Sequence, residues 1–332
     1  MNLHDLPTPA LTIDLDALET NLAAMSRALP GRRLRPHVKA HKCTGLARAQ
    51  AALGHRGFTC ATPREVLGMA EAGLGEDLLL ANETLDADRL AAMARLSPAV
   101  TVAVDSPATI HAAADAGIAR CLVDVNVGLN RCGAAVEDAG PLAQRARGRG
   151  IEVRGVMGYE GHLMMVLDRD ERARRVAEAM AKLRQAHEAV GGEIVSAGGT
   201  GTHDLHEATG VTEIQAGSYA LMDHDYARLG HPFAQALHVF GTVLSVSATH
   251  AVADVGLKAL AMDHGNPRID GAAVRSCSDE HVIFIPEKPV RPGDRVRVIP
   301  GHVDPTMAMH ETAWLVRGEE VVDRWAIDLR GW

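Results

Sequence analysis

The sequence predicts an α/β protein that consists of a (β/α)8 TIM-type barrel and a second, smaller, C-terminal β-rich domain. Over the first two thirds of the chain, eight short β-rich runs alternate with helical patterns, as in a closed barrel of parallel strands. After His231-Pro232, β-like runs separated by turn signals follow one another, without a helical pattern of any length. We therefore expect a barrel over residues 10–232 and a β domain over residues 233–332, with or without residues 1–9.

The elements follow from local periodicity and turn residues. The predicted barrel strands are Leu34–Val38, Gly57–Ala61, Asp77–Ala81, Ala99–Val104, Arg120–Asp124, Arg154–Tyr159, Glu193–Ala197 and Glu213–Ala216. The main predicted helices are Thr44–Leu53, Pro63–Ala72, Pro107–Ala116 and Asp170–Val190. The predicted strands of the second domain include Val239–Ser247, His281–Ile285, Asp294–Ile299 and Glu320–Asp328. A doubly wound open sheet is the alternative, but it normally has fewer strands and opens with a Gly-rich turn, which is missing here.

The composition limits the kinds of molecule that the protein is expected to bind. The net charge of -8 argues against nucleic acid and anionic membranes, and no apolar run approaches the ~18 residues of a membrane span. The N-terminus shows no signal peptide. The five cysteines are scattered and never spaced C-x-x-C, which argues against a disulfide framework or a thiolate zinc site. We expect a cytoplasmic protein with a small-molecule ligand.

A basic octet covers the end of the first predicted barrel strand and the residues after it. Residues 35–42 read Arg-Pro-His-Val-Lys-Ala-His-Lys, which places Lys39 and Lys42 where a barrel enzyme keeps its reactive groups. An amine crowded by positive charge loses its proton more easily, as a Schiff-base lysine requires. A solvated basic turn is the alternative for this octet alone.

A glycine-rich loop follows the seventh predicted strand. Residues 196–202 read Ser-Ala-Gly-Gly-Thr-Gly-Thr, and consecutive glycines let backbone N–H groups surround an oxyanion. The loops after strands seven and eight of a barrel commonly bind phosphate, and residues 215–219 offer further donors after the eighth strand. A flexible turn is the alternative.

Two further strand ends carry candidate groups. Arg131, after the fifth strand, is either a surface charge or a donor to a ring nitrogen, which it would keep unprotonated. After the sixth strand, Tyr159 can contact a ring face and His162 lies near the chemistry. Since the chain has only three tyrosines, two of them at these strand ends are informative.

The predicted β domain contains a possible metal pair. Residues 300–306 read Pro-Gly-His-Val-Asp-Pro-Thr, and in an extended segment His302 and Asp304 face the same way. An imidazole and a carboxylate suit a borderline or hard cation such as Mn²⁺, Mg²⁺, Co²⁺ or Zn²⁺. An ordinary turn is the alternative.

Together these segments resemble the D-threonine aldolase / D-serine dehydratase family, the pyridoxal-phosphate enzymes with an alanine-racemase-type barrel (fold type III). The most specific segments are residues 35–42, 254–260 and 300–306. The resemblance implies that Lys39 rather than Lys42 holds the cofactor, that Arg131 faces the pyridine nitrogen and that Tyr159 lies at the ring. It implies a homodimer and the following further roles: phosphate binding by Gly199, Thr200, Gly217, Ser218 and Tyr219, and metal binding by His302 and Asp304.

Particular residues help to distinguish among the activities of this barrel type. The dehydratase branch looks like His-x-Cys, whereas Asp304 resembles the aldolase branch. Racemases take a second base from a tyrosine of the β domain, and no tyrosine follows Tyr226. Relatives place polar groups where this chain has Met157 and Leu163-Met164-Met165, which implies a more apolar or differently shaped pocket.

The resemblance implies a pyridoxal 5'-phosphate- and metal-dependent lyase, Mn²⁺ being the favoured metal. It would cleave a D-threonine-like D-β-hydroxy-α-amino acid to glycine and an aldehyde, with Lys39 and His162 as the catalytic residues. The alternatives are a dehydratase of D-serine or another D-3-hydroxy amino acid, and a 3-hydroxy-D-aspartate aldolase. A non-enzymatic pyridoxal-phosphate carrier is disfavoured because such carriers usually lack the β domain.

Overall fold

The computed structural model describes residues 1–96 and 99–332, which form two compact units. We call them the barrel unit and the β unit. The barrel unit comprises Ser26–Lys39, Ala47–Gly217 and Leu329–Trp332. The β unit comprises Met1–Met25, Ala40–Leu46 and Ser218–Asp328. The division of the sequence at residue 232 stays a prediction, and the compact units group the residues on either side of it differently.

The strands and helices are numbered here in chain order. The strands are β1 Ala10–Asp14, β2 Gly57–Cys60, β3 Asp77–Leu80, β4 Val100–Val104, β5 Arg120–Asp124, β6 Glu152–Met157, β7 Ile194–Ala197, β8 Glu213–Ile214, β9 Leu237–Val246, β10 Ala251–Ala253, β11 Arg268–Ile269, β12 Ala272–Cys277, β13 Val282–Pro286, β14 Arg295–Ile299, β15 Thr312–Arg317 and β16 Glu320–Ala326. The helices are α1 Leu15–Ala28, α2 Thr44–Ala52, α3 Pro63–Glu71, α4 Ala87–Ala94, α5 Pro107–Asp115, α6 Ala139–Gly148, α7 Arg169–Val190, α8 His224–Ala227 and α9 Val303–Met309.

A curled parallel sheet forms the barrel unit. Among the described residues it has seven strands, β2 to β8, and each strand pairs in parallel with the next along the chain. The helices between them begin at residues that the sequence marks. Thr62 and Ser106 cap α3 and α5, and a proline follows each cap, where its missing N–H costs nothing.

Residues 34–37, here called the closing segment, complete the ring. Leu34 forms a parallel bridge with Ile214 of β8, and His37 forms one with Thr59 of β2. The Arg35 N–H donates to the Ile214 carbonyl at 2.9 Å, and the Thr59 N–H donates to the Pro36 carbonyl at 2.9 Å. The predicted strand Leu34–Val38 is therefore reduced to isolated bridges, because Pro36 lacks an N–H and a 3-10 turn begins at Val38. The predicted barrel class is confirmed.

The interior of the sheet has an apolar and an ionic part. The apolar cluster consists of Leu79, Ala103, Leu122, Met157 and Ile194. Arg35 of the closing segment pairs with Asp77 at 2.7 Å and with Glu213 at 2.8 Å, and Arg154 of β6 also reaches Asp77 at 3.1 Å. Burial alone would raise the pKa of Asp77, but the two guanidinium groups outweigh it and hold that pKa below its ordinary value. The ion pairs connect the closing segment to β3 and β8.

The β unit is built on a larger sheet. Within residues 1–96 and 99–332 this sheet has nine strands, in the order β10-β13-β12-β11-β14-β9-β1-β15-β16. Strand β1 lies antiparallel to β9 and parallel to β15. Residues 10–14 therefore pair with the predicted β domain and not with barrel strands. None of the described helices has the length and apolar character that crossing a membrane requires.

The expectation that no helix follows residue 237 is wrong. Helix α9 covers Val303–Met309, directly on the predicted metal motif. It is short, and the buried carboxylate of Asp223 accepts its first N–H, that of Val303, at 3.0 Å. Because a carboxylate at a helix N-terminus compensates the unpaired amides and the helix dipole, a distant residue stabilises a helix that the local sequence only weakly favours.

Candidate active site

The two candidate lysines differ in their place in the chain. Lys39 lies two residues after the closing segment, in the 3-10 turn Val38–Ala40, where its backbone N–H donates to His37 Nδ1 at 3.4 Å. Lys42 has a positive φ of 47° and belongs to the β unit. Both side chains are half-buried. Only Lys39 continues directly from backbone that is bonded to two barrel strands.

The glycine loop after β7 is closely packed. Gly198 has a φ of +80°, a left-handed conformation that favours glycine. A Cβ at Gly199 would lie 2.9 Å from Met164 Sδ, so only glycine fits there without a shift. Thr200 is buried, and Gly217 follows β8 by three residues and is the last residue of the longest segment of the barrel unit. Backbone amides in a glycine-rich loop suit a bound phosphate. Two of these amides already have protein acceptors, because the Gly198 N–H donates to Glu160 Oε2 and the Gly199 N–H donates to Thr202 Oγ1.

Residues expected at a cofactor ring come together in the barrel unit. The Arg131 guanidinium carbon lies 5.9 Å from the centre of the Tyr159 ring, a cation–π distance. A Cβ at Gly199 would lie 3.4 Å from Tyr159 Cε2, in van der Waals contact. The ends of β5, β6 and β7 thus place a guanidinium, a phenol ring and the glycine loop side by side.

His162 lies on the 3-10 turn after β6 with an exposed side chain. A Cβ at Gly128, in the loop after β5, would lie 3.0 Å from His162 Nε2. Burial and then the positive charge of Arg175 lower the pKa of His162, and the carboxylate of Glu160 partly opposes them. The imidazole therefore stays neutral to more acid pH than an ordinary histidine, as a proton acceptor requires.

A buried carboxylate that sequence reasoning missed lies against the glycine loop. Glu160 Oε2 accepts the Gly198 N–H at 3.2 Å, and Oε1 accepts the Thr202 hydroxyl at 2.6 Å and His206 Nε2 at 3.1 Å. Burial would raise the pKa of Glu160, but these hydrogen bonds and the charge of His206 hold it below its ordinary value. The proximity of Glu160 to Tyr159 in the sequence is the only signal that pointed to it.

A group of acidic side chains lies at the ends of β3, β4 and β5. Burial, the charge of Glu83, a hydrogen bond with Glu83 and the charge of Asp105 raise the pKa of Asp124 well above its ordinary value, while Arg131 opposes them. Asp124 therefore holds its proton at pH values where an ordinary aspartate has lost it. These carboxyl groups are separated along the chain, so no local motif indicated that they would meet.

Ser218 and Tyr219 lie in the β unit, in the 3-10 turn Ser218–Ala220 that follows Gly217. Both are buried. The Tyr219 ring packs against Phe233, with 5.7 Å between ring centres. The Ser218 hydroxyl donates to Asp304 Oδ1 at 3.2 Å. This hydrogen bond connects a predicted phosphate ligand to a predicted metal ligand within one unit.

The metal motif has a different backbone from the one expected. His302 is extended, with φ -140° and ψ 121°, but it is the N-cap of α9, and Asp304 lies in the first helical turn. The prediction that both residues share one face of an extended segment is therefore wrong, because the segment turns into a helix between them. Residues 302 and 304 stay candidate ligands on chemical grounds.

Additional donor groups surround His302. Its Nδ1 lies 2.6 Å from Asp263 Oδ2, and its ring stacks on His264 with 4.1 Å between centres and 6° between planes. The ligand atoms of Asp263, His264 and His302 all lie within 4.8 Å of one another. A carboxylate that holds Nδ1 leaves Nε2 to bind a metal, so the donor set fits a divalent cation. Sequence reasoning missed Asp263, which lies 39 residues before His302.

The apolar departures from the expected pattern largely serve packing. Leu163 and Met164 are buried, and Met157 belongs to the apolar interior of the barrel unit. Met165 is half-buried and has the more accessible side chain of this run. The Met164 sulfur sits where a side chain on residue 199 would point. Of these four residues, Met164 is the one shown to pack against the glycine loop.

Comparison with known proteins agrees with this architecture. The family described as "Alanine racemase, N-terminal domain" matches residues 13–225, and the "Putative serine dehydratase domain" matches residues 236–316. D-Threonine aldolase of an Arthrobacter species is 36% identical over 99% of this chain and 94% of its own length. 3-Hydroxy-D-aspartate aldolase of Paracoccus denitrificans is 32% identical over 100% of this chain and 94% of its own length.

Two solved structures resemble the chain over its full length. The crystal structure of D-threonine aldolase from Filomicrobium marinum has a TM-score of 0.95 at 36% identity and covers 100% of this chain and 97% of its own. D-threo-3-hydroxyaspartate dehydratase from Delftia sp. HT23 has a TM-score of 0.89 at 28% identity and covers 100% of both chains. With its alanine-racemase-type barrel and its serine-dehydratase-type β domain, this chain belongs to the D-threonine aldolase / D-serine dehydratase-like family of fold type III pyridoxal-phosphate enzymes.

Proposed function

We propose that this chain is a lyase that cleaves D-threonine-like D-β-hydroxy-α-amino acids to glycine and an aldehyde, with pyridoxal 5'-phosphate and a divalent metal. The observation that carries the proposal is the full-length similarity to D-threonine aldolases, together with a cofactor-type loop and an imidazole-carboxylate metal motif in one chain. The activity lies in the class of aldehyde-lyases.

The residues that the sequence assigns to the cofactor would hold it in the following way. Lys39 would bind its aldehyde carbon, Arg131 would face the ring nitrogen, and Tyr159 would lie at the ring. Backbone and hydroxyl donors would hold its phosphate: Gly199, Thr200, Gly217, Ser218 and Tyr219. When bound, the cofactor withdraws electrons from the bonds of the substrate α-carbon. Because a guanidinium does not give up its proton, Arg131 leaves the ring nitrogen unprotonated and limits that withdrawal.

His302 and Asp304 would hold the metal, for which we favour Mn²⁺ over Mg²⁺, Co²⁺ and Zn²⁺. A bound divalent cation lowers the pKa of a coordinated hydroxyl, which here is the β-hydroxyl of the substrate. Asp304 is a harder ligand than the cysteine expected at this position in the dehydratase branch, and it favours hard cations. Since Arg131 limits activation through the ring, the metal should contribute much of the rate.

Two side chains would move protons. His162, whose pKa is lowered by burial and by Arg175, would accept the proton of the β-hydroxyl directly or through water. Lys39 or a water molecule would return a proton to the α-carbon and so release glycine. These roles make Lys39 and His162 the catalytic residues of the proposal.

The test is product analysis with D- and L-threonine, with and without a chelator. We expect acetaldehyde and glycine from D-threonine, no product from L-threonine, and loss of activity with the chelator that Mn²⁺ restores. Formation of 2-oxobutyrate alone would replace the aldolase with a dehydratase, the second candidate, which the similarity to D-threo-3-hydroxyaspartate dehydratase favours. A clear preference for 3-hydroxy-D-aspartate over D-threonine would identify the third candidate, which the Paracoccus enzyme supports.

We further propose that the protein acts in D-amino acid metabolism as a cytoplasmic homodimer. All five cysteines are free thiols, which suits a reducing compartment. The net charge of -8 disfavours nucleic acid and anionic membranes as partners. Light scattering after gel filtration tests the dimer, since a monomer has a mass of 35.2 kDa.

A further inference from the structure

Three polar side chains form a buried cluster directly behind the glycine loop. Glu160 and Thr202 are 0% exposed and His206 is 1% exposed. Polar groups are buried at such depth only when they are hydrogen-bonded, and the carboxylate of Glu160 has three donors. The cluster contains none of the residues that sequence reasoning assigned to the cofactor.

The cluster ties both ends of the loop to one carboxylate. One oxygen of Glu160 holds the N–H of Gly198, where the loop begins, and the other holds the hydroxyl of Thr202, where it ends. The Thr202 hydroxyl in turn accepts the N–H of Gly199 at 3.3 Å. His206 Nε2 completes the set on the same oxygen of Glu160. Because both ends of the loop are bonded to one buried carboxylate, the loop has little freedom to rearrange.

The loop needs such support because of its composition. Glycine loses more backbone freedom on ordering than any other residue, and this loop contains three glycines in five residues, 198 to 202. If the loop became ordered only on phosphate binding, the entropy lost in that ordering would reduce the affinity for the phosphate. Bonds that hold the loop in advance remove that cost.

We propose that Glu160, supported by Thr202 and His206, is a positioning residue that preorganises the glycine loop for the phosphate of the cofactor. The inference rests on the proposed cofactor site and adds a part of the machinery to it. Glu160 itself does not bind the phosphate, since both are anions and both oxygens of Glu160 already have donors. Its effect therefore depends on whether the ligand carries a phosphate.

The test compares two ligands that differ only in the phosphate. Apoenzyme of the full chain is titrated with pyridoxal 5'-phosphate and with pyridoxal, and binding is followed by the visible absorbance of the lysine Schiff base. In Glu160→Gln we expect the affinity for pyridoxal 5'-phosphate to fall about tenfold, the effect of losing one good hydrogen bond to a charged group. The affinity for pyridoxal should change by less than about threefold. The preference for the phosphorylated ligand therefore decreases.

A second variant and a control make the result specific. Thr202→Val removes the hydroxyl that joins Glu160 to Gly199 while nearly keeping the side-chain shape, and it should reduce the same preference. Glu207→Gln changes an exposed carboxylate next to His206 in the sequence and should leave both affinities unchanged. The proposal is overturned if Glu160→Gln lowers the affinity for both ligands equally, or if it lowers the affinity for neither. If the wild-type protein gives no Schiff-base absorbance with either ligand, the cofactor assignment itself fails, which is a separate and visible outcome.

Discussion

At the scale of single residues, the two lysines of the basic octet show how backbone context separates chemically identical groups. Their side chains are similarly buried, but only Lys39 continues directly from backbone that is bonded to β2 and β8. A residue fixed in this way is held more precisely than one in a turn with a left-handed backbone, such as Lys42. We therefore expect Lys39 rather than Lys42 to hold the covalently bound cofactor.

Substitution of each lysine tests this choice. Lys39→Ala should lose the visible absorbance of the Schiff base and at least about 10³-fold of the activity, as expected when a covalent group is removed. Lys42→Ala should keep the absorbance and serves as the matched control. The assignment is wrong if the absorbance persists in Lys39→Ala and disappears in Lys42→Ala.

The pH dependence should report His162. A histidine accepts a proton only in its neutral form, and the pKa of His162 is lowered below 6.5. As the pH falls, kcat/KM for D-threonine should therefore stay level down to 6.5 and decline only below it. His162→Asn should be less active and should lack this decline. A pH profile measured for both proteins between about pH 5 and 8 checks this, and an unchanged acid limb in the variant would assign it to another group.

The residues that sequence reasoning found and missed differ in how they act. Lys39, Arg131 and Tyr159 could be predicted because barrel strand ends are recognisable and the residue types match a known chemistry. Glu160 and Asp263 were missed because their contacts are with residues far away in the sequence. Such supporting contacts depend on distances between segments, which no local pattern encodes.

At the scale of elements, α9 was missed because its stability is not local. It covers seven residues, too few to form a helix alone in water, and Asp223 supplies the carboxylate at its N-terminus from 80 residues away. By contrast, the cap-and-proline starts of α3 and α5 were readable from sequence, since both signals are adjacent to the helix. Tertiary contacts thus decide the shortest elements.

The ion pairs of the closing segment should contribute measurably to stability. Because the folded-state pKa of Asp77 is depressed below 3.8, its contribution is present above that pH and is lost as the pH falls through the folded-state value. Asp77→Asn should lower the free energy of unfolding by about 1–3 kcal/mol near neutral pH, and by less in acid.

Denaturant unfolding at pH 7 and at acid pH measures this difference. The neighbouring Glu76→Gln is a matched control, because Glu76 pairs with Arg56 at an exposed site and should matter little. Equal destabilisation by Asp77→Asn at both pH values would show that the effect comes from packing rather than from charge.

At the scale of the whole molecule, the fold class was predictable because alternation of strands and helices extends over some two hundred residues and survives errors at single elements. The assignment of residues 10–14 was not predictable in the same way. A strand at the start of the chain gives the same local signal whichever sheet it joins, and β1 pairs with residues more than two hundred positions away. Sheet membership is a long-range property.

The closing segment has a consequence for the order of folding. Neighbouring strands β2 to β8 pair across short separations, whereas Leu34 meets Ile214 across 180 residues of chain, and such contacts form late because loop closure costs entropy. Lys39 lies two residues after the closing segment, which makes these late contacts. The apoprotein should therefore acquire helix and strand structure before it can capture its cofactor. Pyridoxal 5'-phosphate, by binding only the closed ring, would shift the folding equilibrium towards the fully assembled barrel.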